Sequence, residues 1–351
     1  MNKFDEKYEI RLATRADTDQ IMKFLDDYWK KGHIMACDKE LFLYEYADGD
    51  RLNFVLAIDK ATELLEGIFG FLNCSKTEDA DKKDIWGSMW KVNDYHDNIP
   101  FLGIELAKRV FTLTGCRTQI GNGANSTTTI PLRRIFFGEK GVRMKQYYLL
   151  NPSFDDYKIA VIKDKTVVVN TPRQNRTTLK EFHSIDEVKD HFDLESIDAI
   201  PYKDNWYVNK RYFCHPYYKY VVYGLVGGSG ETGALMMGRV VECNGRQVFR
   251  IVDYIGDQGL FGGLFQEFDQ MIRENDFEYI DFYTFGFAEG PILQAGFRLR
   301  SDHDPNIIPN YFEPFLRENV DIWAHYKLEG TTFFKADGDQ DRPNIIRENR
   351  K

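Results

Sequence analysis

The sequence predicts a mixed α/β (α+β) protein in which one structural unit occurs twice in tandem. The 351 residues suit two domains of ordinary size, and a hydrophobic fraction of 43% allows each a core of its own. Two similar strings also recur about half a chain apart, "WKVNDYHDN" (90–98) and "FRIVDYIGDQ" (249–258). Their first aspartates, Asp94 and Asp253, are 253 − 94 = 159 residues apart.

The first half alternates strands and amphipathic helices in a regular order. Apolar residues at a period of two predict strands, and apolar residues at helical spacing predict helices. In chain order the predicted elements are strand "YEIRLATRAD", helix "TDQIMKFLDDYWKKG", the less regular helix "DKELFLYEYA", strands "NFVLAID", "LEGIFGFLNCS" and "DIWGSMWKVN", helix "FLGIELAKRVFTLTG", strand "TQIGNGAN", helix "STTTIPLRRIFFGEKG" and the closing strand "VRMKQYYLLNP".

The second half repeats this order. After the strand that contains Asp253 come a helix, a strand and a short helix, as they do after Asp94. The distance from the aspartate to a following glycine is also similar, 141 − 94 = 47 residues to Gly141 and 296 − 253 = 43 residues to Gly296. We therefore predict a duplicated unit with domains at 1–152 and 153–351, each a mixed central sheet flanked by helices.

Amino-acid composition limits which binding partners and which cellular compartment we expect for this protein. A net charge of −9 disfavours a general nucleic-acid binder, which needs a dense basic surface. Five scattered cysteines without a C-x-x-C pair indicate a reducing compartment, and no signal peptide or long apolar run is evident, so we expect a cytoplasmic protein without a membrane span. No metal is expected either. The "DGDQDRPNIIRE" string has calcium-loop spacing but places Arg342 where such loops need glycine.

The order strand, helix, helix, three strands, helix, strand, helix, strand resembles that of the GCN5-related N-acetyltransferase (GNAT) superfamily over nearly the full length of both halves. Three further strings, "RYFCHPYYKY", "IIPNYFEPF" and "KADGDQDRPN", resemble paired acetyltransferase-like proteins of bacterial surface-polysaccharide assembly. This resemblance implies two GNAT-like domains in tandem.

The resemblance also implies where an acyl donor binds. In this fold the fourth strand separates from the fifth, the gap admits the pantetheine arm of acetyl-CoA or another acyl-CoA, and the next helix start receives the pyrophosphate. The first half keeps Gly103 at that start but has Pro100 and Glu105 where the family has a basic or amide residue and a small one. The second half is the better match, and its implied donor-binding residues are Ile255, Gln258, Gly262 and Gly263.

Acyl transfer to an amine needs a group that accepts the proton of the amine and one that protonates the thiolate. The tyrosine that the family often uses as the acid is missing from both halves. Asp253 is the candidate base and Tyr311 or Tyr283 a candidate acid, and His215 is a candidate acid or base because histidine titrates near neutrality. Alternatively, each Asp-Tyr pair simply ends a strand and the aspartate caps a turn. Arginine suits a sugar-nucleotide diphosphate and the acidic tail suits an amino substrate. The candidate substrate-binding residues are Arg211, Asn310, Glu313, Asp339, Asp341 and Arg342.

The sequence thus favours an N-acyltransferase that modifies an amino sugar, linked to a nucleotide, in surface-polysaccharide biosynthesis. This acceptor follows from the resemblance. Two alternatives stay open. One is a Fem-type aminoacyl transferase, which pairs two such folds and uses aminoacyl-tRNA. The other is a catalytically degenerate pair that serves as a scaffold or ligand sensor. The oligomeric state is left open.

Overall fold

The computed structural model describes residues 2–94, 97–166 and 176–344. The chain divides into two compact units, the first formed by Met1–Gly141, Ala324–Leu328 and Pro343–Lys351 and the second by Val142–Trp323 and Glu329–Arg342. Each unit has a mixed sheet with helices, so the predicted α/β class with two tandem units is confirmed.

The α-helices are short, and only α5 exceeds ten residues among those the structure describes. In chain order they are α1 (Lys3–Lys7), α2 (Thr18–Phe24), α3 (Ile34–Cys37), α4 (Lys39–Tyr46), α5 (Leu102–Thr114), α6 (Thr129–Phe137), α7 (Ile185–His191), α8 (Asn205–Val208), α9 (Phe265–Glu274) and α10 (Glu289–Gln294).

The strands supply most of the described regular structure. In chain order they are β1 (Tyr8–Thr14), β2 (Ala47–Asp48), β3 (Arg51–Asp59), β4 (Leu65–Asn73), β5 (Asp84–Val92), β6 (Thr118–Asn122), β7 (Lys140–Arg143), β8 (Lys145–Leu150), β9 (Thr178–Phe182), β10 (Val221–Val226), β11 (Thr232–Cys243), β12 (Arg246–Gly256), β13 (Phe277–Phe285), β14 (Arg298–Leu299), β15 (Tyr311–Phe312), β16 (Phe315–Leu316), β17 (Trp323–Tyr326) and β18 (Phe333–Phe334).

Each large sheet contains one strand from the other half of the sequence. The first sheet has the order β1-β3-β4-β5-β6-β17-β7, and the second has the order β14-β8-β13-β12-β11-β10-β9. The string "VRMKQYYLLNP", predicted to close the first sheet, therefore ends in β8, which pairs with β13 and β14 of the second. The predicted boundary between 152 and 153 likewise lies inside the second unit, because the units divide at 141/142.

Local sequence explains the elements beside the first sheet. Leu102, Leu106 and Val110 recur at helical spacing on α5, and all three are buried. The helix ends at Gly115, whose φ of 65° is a left-handed conformation that glycine adopts without strain. The apolar strand β4 is buried along almost its whole length, as expected for a central strand.

The second unit has an aromatic core between its sheet and α9. Phe261, Phe268 and Phe297 contact one another, with ring centroids 5.2–5.7 Å apart. Phe282 on β13 stacks on Phe261 at 5.3 Å. Aromatic pairs at these distances add to the stabilisation from buried apolar area, so this core holds α9 against the sheet.

The central strands β5 and β12 each carry a β-bulge. Between paired positions 69 and 71 of β4, strand β5 runs from position 90 to 87, and between positions 237 and 238 of β11, strand β12 runs from 253 to 251. A bulge bends the strand and disturbs its pairing. The parallel ladder from β5 to β6 ends at Gly87↔Gly121, and that from β12 to β13 ends at Ile251↔Phe282. We call these two end points the first fork and the second fork.

The two Asp-Tyr strings do not hold equivalent positions relative to the two forks. Gly87 and Ile251 hold equivalent positions and are 251 − 87 = 164 residues apart, not 159. Asp94 lies beyond the end of β5, whereas Asp253 lies inside β12. The two strings are alike in letters, but they occupy different places in the two sheets. Tyr95 and His96 of the first string lie outside the described residues.

Candidate functional site

Two glycines face each other at the first fork, in the middle of the first sheet. Gly87 of β5 faces Gly121 of β6 in the last paired row. Glycines inside adjacent strands weaken a sheet and often mark a place where a ligand or another chain approaches the backbone closely. The sequence analysis missed these two residues, although a glycine in the interior of a predicted strand is a signal that can be read without a structure.

An apolar pocket of about 440 Å³ lies where β5 continues past the first fork and where α5 and α6 begin. Its wall includes the indole of Trp90, whose Nε1 donates a hydrogen bond of 2.9 Å to the carbonyl oxygen of Gly103. This bond fixes the start of α5 against β5. The pocket is lined by Trp90, Val92, Asn98, Ile99, Pro100, Phe101, Leu102, Gly103, Ile104, Thr128, Thr129 and Leu132.

From its sequence position, the carboxylate of Glu105 would be expected to repel an anion at the start of α5. In the structure this carboxylate is bonded by two neighbouring side chains. Its Oε1 accepts hydrogen bonds from Arg109 Nε at 2.7 Å and from Asn2 Nδ2 at 3.1 Å. Arg109 also bonds Asp5 at 2.7 Å. The negative charge of Glu105 is therefore engaged by Arg109, one turn further along the helix.

Beside the bulge of β5, on the first sheet, Tyr46 OH and Ser88 Oγ lie 2.7 Å apart. Tyr46 is buried at the end of α4, and Ser88 follows Gly87 directly. Bulges often occur beside active sites, where they redirect a side chain. The hydroxyl pair therefore places two groups that can donate and accept protons one residue beyond the first fork.

Three carboxylates of the first unit approach closely enough to hold a cation. One ligand oxygen each from Asp59, Glu66 and Asp97 lie within 4.8 Å of one another. Lys7 Nζ lies 3.4, 3.7 and 3.0 Å from these three groups in turn. Although some burial opposes it, the bond with Asp97 raises the pKa of Lys7. The lysine thus supplies the positive charge that this cluster needs.

The second fork is filled by the chain itself. Phe333 and Phe334 of β18 pair with Phe285 and Thr284 of β13, just past the last row that β13 shares with β12. The N–H of Ala336 donates a 2.8 Å hydrogen bond to the carbonyl of Val252 on β12. Backbone groups that a pantetheine arm would use are thus taken by residues 333–336. The gap that the predicted donor site in the second half requires is therefore filled by β18 in this structure.

The predicted donor residues lie around this filled fork. Ile255 pairs with Leu235 within the sheet, and with Gln258 it lines a small cleft of about 190 Å³. Gln258 Oε1 accepts a 2.8 Å bond from the N–H of Ala288. Gly262 is buried, and the carbonyl of Gly263 accepts a bond from the N–H of Thr177. Of the four, Ile255 and Gln258 line this cleft.

Asp253, the predicted base, is completely buried. Both of its oxygens lie 2.7 Å from Lys203 Nζ, and Oδ2 accepts a 2.5 Å bond from Tyr212 OH. Lys203 Nζ also lies 2.6 Å from Asp337, whose pKa is raised to about 7 by burial, against the effect of the lysine. Asp253 is thus joined through Lys203 to Asp337, in the stretch that follows β18, and its catalytic role stays a prediction that these contacts do not support.

Arg211 and Asp341 also hold the stretch that follows β18, residues 335–341, in place. Arg211 donates to the backbone carbonyls of Ala336 and Asp341, at 3.2 and 2.6 Å. The Asp341 carboxylate accepts bonds of 2.8–3.1 Å from buried Arg239. Although burial opposes it, this guanidinium lowers the pKa of Asp341. Both residues are buried and engaged within the protein, so their predicted substrate contacts have no support from this geometry and stay a prediction.

His215 and Asn310 are likewise parts of the packed second unit. His215 is buried, and its Nδ1 accepts the N–H groups of Tyr217 and Tyr218 at 3.2 and 2.9 Å. Asn310 is buried and donates to Tyr283 OH at 2.7 Å. These contacts give both side chains partners within the protein, and their part in catalysis or substrate binding stays a prediction.

The remaining predicted residues are partly exposed. Tyr311 OH lies 3.4 Å from Gln340 Oε1, and burial raises the pKa of Tyr311. Glu313 accepts a 3.3 Å bond from Tyr218 OH. Asp339 lies 3.5 Å from Arg342. A role for these four residues stays a prediction.

The architecture matches solved structures of N-acetyltransferases. A GCN5-related N-acetyltransferase from Anabaena variabilis ATCC 29413 is similar with a TM-score of 0.51 and 11% identity, over 91% of this chain and 72% of that one. A conserved protein of unknown function from Enterococcus faecalis V583, a probable N-acyltransferase, has a TM-score of 0.51 and 9% identity over 90% and 71%. N-myristoyltransferase from Saccharomyces cerevisiae with bound myristoyl-CoA has a TM-score of 0.46 and 8% identity over 92% and 81%.

The protein therefore has the GNAT fold, in two tandem copies. No protein-family model matches the chain, and no curated protein matches its sequence. Among the described residues, no helix has both the length and the apolar character needed to cross a membrane.

Proposed function

We propose that this protein is an N-acyltransferase whose acyl thioester donor binds at the first fork. The observation that carries the proposal is the separation of β5 from β6 past Gly87 and Gly121, beside an apolar pocket and the start of α5. This is the geometry that an extended pantetheine arm needs, because such an arm can pair with a free strand edge. The second fork does not offer it, since residues 333–336 fill the gap.

Different residues around the first fork would contact different parts of the donor. Trp90, Val92 and Leu132 offer apolar surface to the arm. The start of α5 offers N–H groups and the positive end of a helix dipole to the pyrophosphate of coenzyme A. Because Pro100 occupies the position where the family has a basic or amide residue, we expect weaker recognition of the nucleotide part than of the pantetheine.

For the acceptor we keep the amino sugar, linked to a nucleotide and used in surface-polysaccharide biosynthesis. The resemblance of the strings around Arg211, Tyr311 and Asp341 supports this acceptor. Arg211 and Asp341 have partners within the protein, so the choice of acceptor rests on the resemblance. A panel of free and nucleotide-linked amino sugars, assayed for thiol release from acetyl-CoA, tests it against simple amines and peptides.

The donor site is tested by calorimetric titration with acetyl-CoA and with CoA. A side chain at position 103 would press on Trp90 and Val92, since a Cβ there lies 2.9 Å from the indole Nε1. We expect Gly103→Leu to weaken binding at least tenfold. Gly259→Leu is the matched control, because Gly259 is exposed and follows the strand of the second fork.

Equal binding by wild type and Gly103→Leu, with loss in Gly259→Leu, would move the donor to the second unit and contradict the proposal. No binding of either ligand to wild type at millimolar concentration would contradict a coenzyme A donor. Titration with aminoacyl-tRNA would then test the Fem-type alternative.

A further inference from the structure

A buried histidine lies next to the first fork. His325, on β17, pairs with Gly121 of β6, which in turn pairs with Gly87 of β5. The row His325–Gly121–Gly87 thus crosses the sheet at the place where β5 and β6 separate. His325 and both glycines belong to the first unit.

The imidazole leans across Gly121 toward β5. A Cβ at position 121 would lie 2.0 Å from His325 Nε2 and 2.5–2.7 Å from its neighbouring ring carbons, so the tip of the ring occupies the place of a side chain there. Gln119, two residues before Gly121, bonds the carbonyl of Ala107 on α5. Side chains two apart on a strand share a face, so the ring lies on the α5 face, which also carries the apolar pocket.

Glu139 holds the other edge of the ring. His325 Nδ1 lies 2.6 Å from Glu139 Oε2, and this carboxylate also accepts two bonds from Arg133, at 2.9 and 2.5 Å. All three side chains are buried, with 1–6% of their surface exposed. A buried ion pair in which the carboxylate also binds an imidazole is a costly arrangement unless geometry or function retains it.

The charges assign the protons. Burial alone would raise the pKa of Glu139. The contacts with His325 and Arg133 outweigh burial and lower this pKa, so Glu139 is a carboxylate. Burial lowers the pKa of His325, so the imidazole is neutral at pH 7. We assign its one N–H to Nδ1, the ring nitrogen that lies 2.6 Å from the carboxylate. This leaves the Nε2 lone pair over Gly121, and among the described residues Nε2 has no hydrogen-bond partner.

We propose that His325 is the proton-transfer group of the acyltransferase and that Glu139 positions it. This inference rests on the proposed function, since it needs a thioester at the first fork. The acceptor nitrogen bonds the thioester carbonyl carbon, the C–S bond breaks, and the sulfur leaves with the electron pair. His325 Nε2 accepts the proton that the nitrogen loses and passes it to the thiolate, which restores the neutral imidazole and yields a free thiol.

The primary test measures thiol release from acetyl-CoA, with water or an amine from the panel as acceptor, and donor affinity by calorimetry. General acid–base groups contribute about 10²–10⁴-fold to a rate. We expect His325→Ala to lower kcat by at least 100-fold and to change the donor Kd by less than threefold. His183→Ala, an exposed histidine of the second unit, should match wild type.

The pH profile separates proton transfer from a structural role. The charged groups that act on His325 are Glu139 and Arg133. Wild-type activity should fall on the acid side as the imidazole is protonated. Glu139→Gln removes the carboxylate that favours imidazolium, so its acid limb should move to lower pH while kcat falls. A variant that keeps the wild-type limb would overturn the proposal.

Gly121→Ala supplies a second route if His325→Ala does not fold. The added methyl group would displace the imidazole by contact with Nε2, leaving His325 and Glu139 present. We expect a kcat at least tenfold lower with donor binding retained. Normal kcat in both His325→Ala and Gly121→Ala would overturn the inference and leave the donor site standing. A wild type that neither binds acetyl-CoA nor releases thiol would instead contradict the proposed function.

Discussion

The two forks occupy equivalent places in the two sheets but differ in the residues that form and fill them. The last row of the first fork is Gly87, Gly121 and His325, two bare backbones and a polar ring. The equivalent row of the second fork is Ile251, Phe282 and Tyr147, which fill the same space with apolar and aromatic side chains. Past this row the first sheet has an apolar pocket and the second has a strand of its own chain.

This contrast shows that the fold provides a gap and that side chains decide its use. Both central strands carry a bulge, so both parallel ladders end early. In the second unit, β18 uses the freed backbone of β13, and Lys203, Arg211 and Arg239 anchor the residues after it. The same gap in the sheet is thus filled by the chain itself in the second unit.

The largest expected effect concerns the ion pair between Asp341 and Arg239, which holds the residues after β18 in place. Asp341→Ala leaves the buried guanidinium of Arg239 without its carboxylate. Removing one partner of a buried ion pair costs about 3–5 kcal/mol. We expect that loss in the free energy of unfolding from urea denaturation. Asp302→Ala, which removes an exposed partner of Arg143, is the control and should cost less than about 1 kcal/mol. Equal losses would show that the anchor is unimportant.

A second measurement concerns Lys335, which is buried near the same anchor. Burial lowers its pKa to about 7 from 10.5, and Arg250 acts in the same direction, as does Arg239, while Asp341 and Asp281 oppose. Between those two values the unfolded chain binds a proton that the folded chain does not, so stability rises with pH there. Lys335→Met should stabilise by a few kcal/mol at pH 6, and the gain should vanish above pH 10.5. A gain independent of pH would contradict a buried neutral amine.

The smallest expected effect concerns the two similar strings. Asp94 is exposed and pairs only loosely, at 3.2 Å, with Lys91, so Asp94→Asn should change the unfolding free energy by less than about 0.5 kcal/mol. Asp253→Asn weakens a buried pair with Lys203 and should cost about 2 kcal/mol or more. Thermal and urea unfolding of both variants measure the difference. Similar effects would mean that the strings are equivalent after all.

Much of the secondary structure could be read from the sequence, because it depends on local patterns. The apolar spacing of α5 and its end at Gly115 are examples, and so is the strand that contains Asp253. The exchange of β8 and β17 could not be read, since an apolar strand carries no mark of the sheet that it joins.

The candidate site was harder to predict for a different reason. A sequence shows that Asp253 and Asp341 carry charge, and it does not show that each faces a buried cation. His325 gave no signal, since its partners Glu139 and Gly121 are distant in sequence. Gly121, a glycine inside a strand, was the one readable hint.

The exchange of strands also sets an order for biosynthesis. Translation proceeds from the N-terminus, and the first sheet is complete only when β17 has been made, at residue 326 of 351. Until then the first fork lacks His325, and β6 lacks a neighbour on one side. A nascent or prematurely terminated chain therefore carries an unfinished first sheet, and such chains are natural clients of chaperones and proteases.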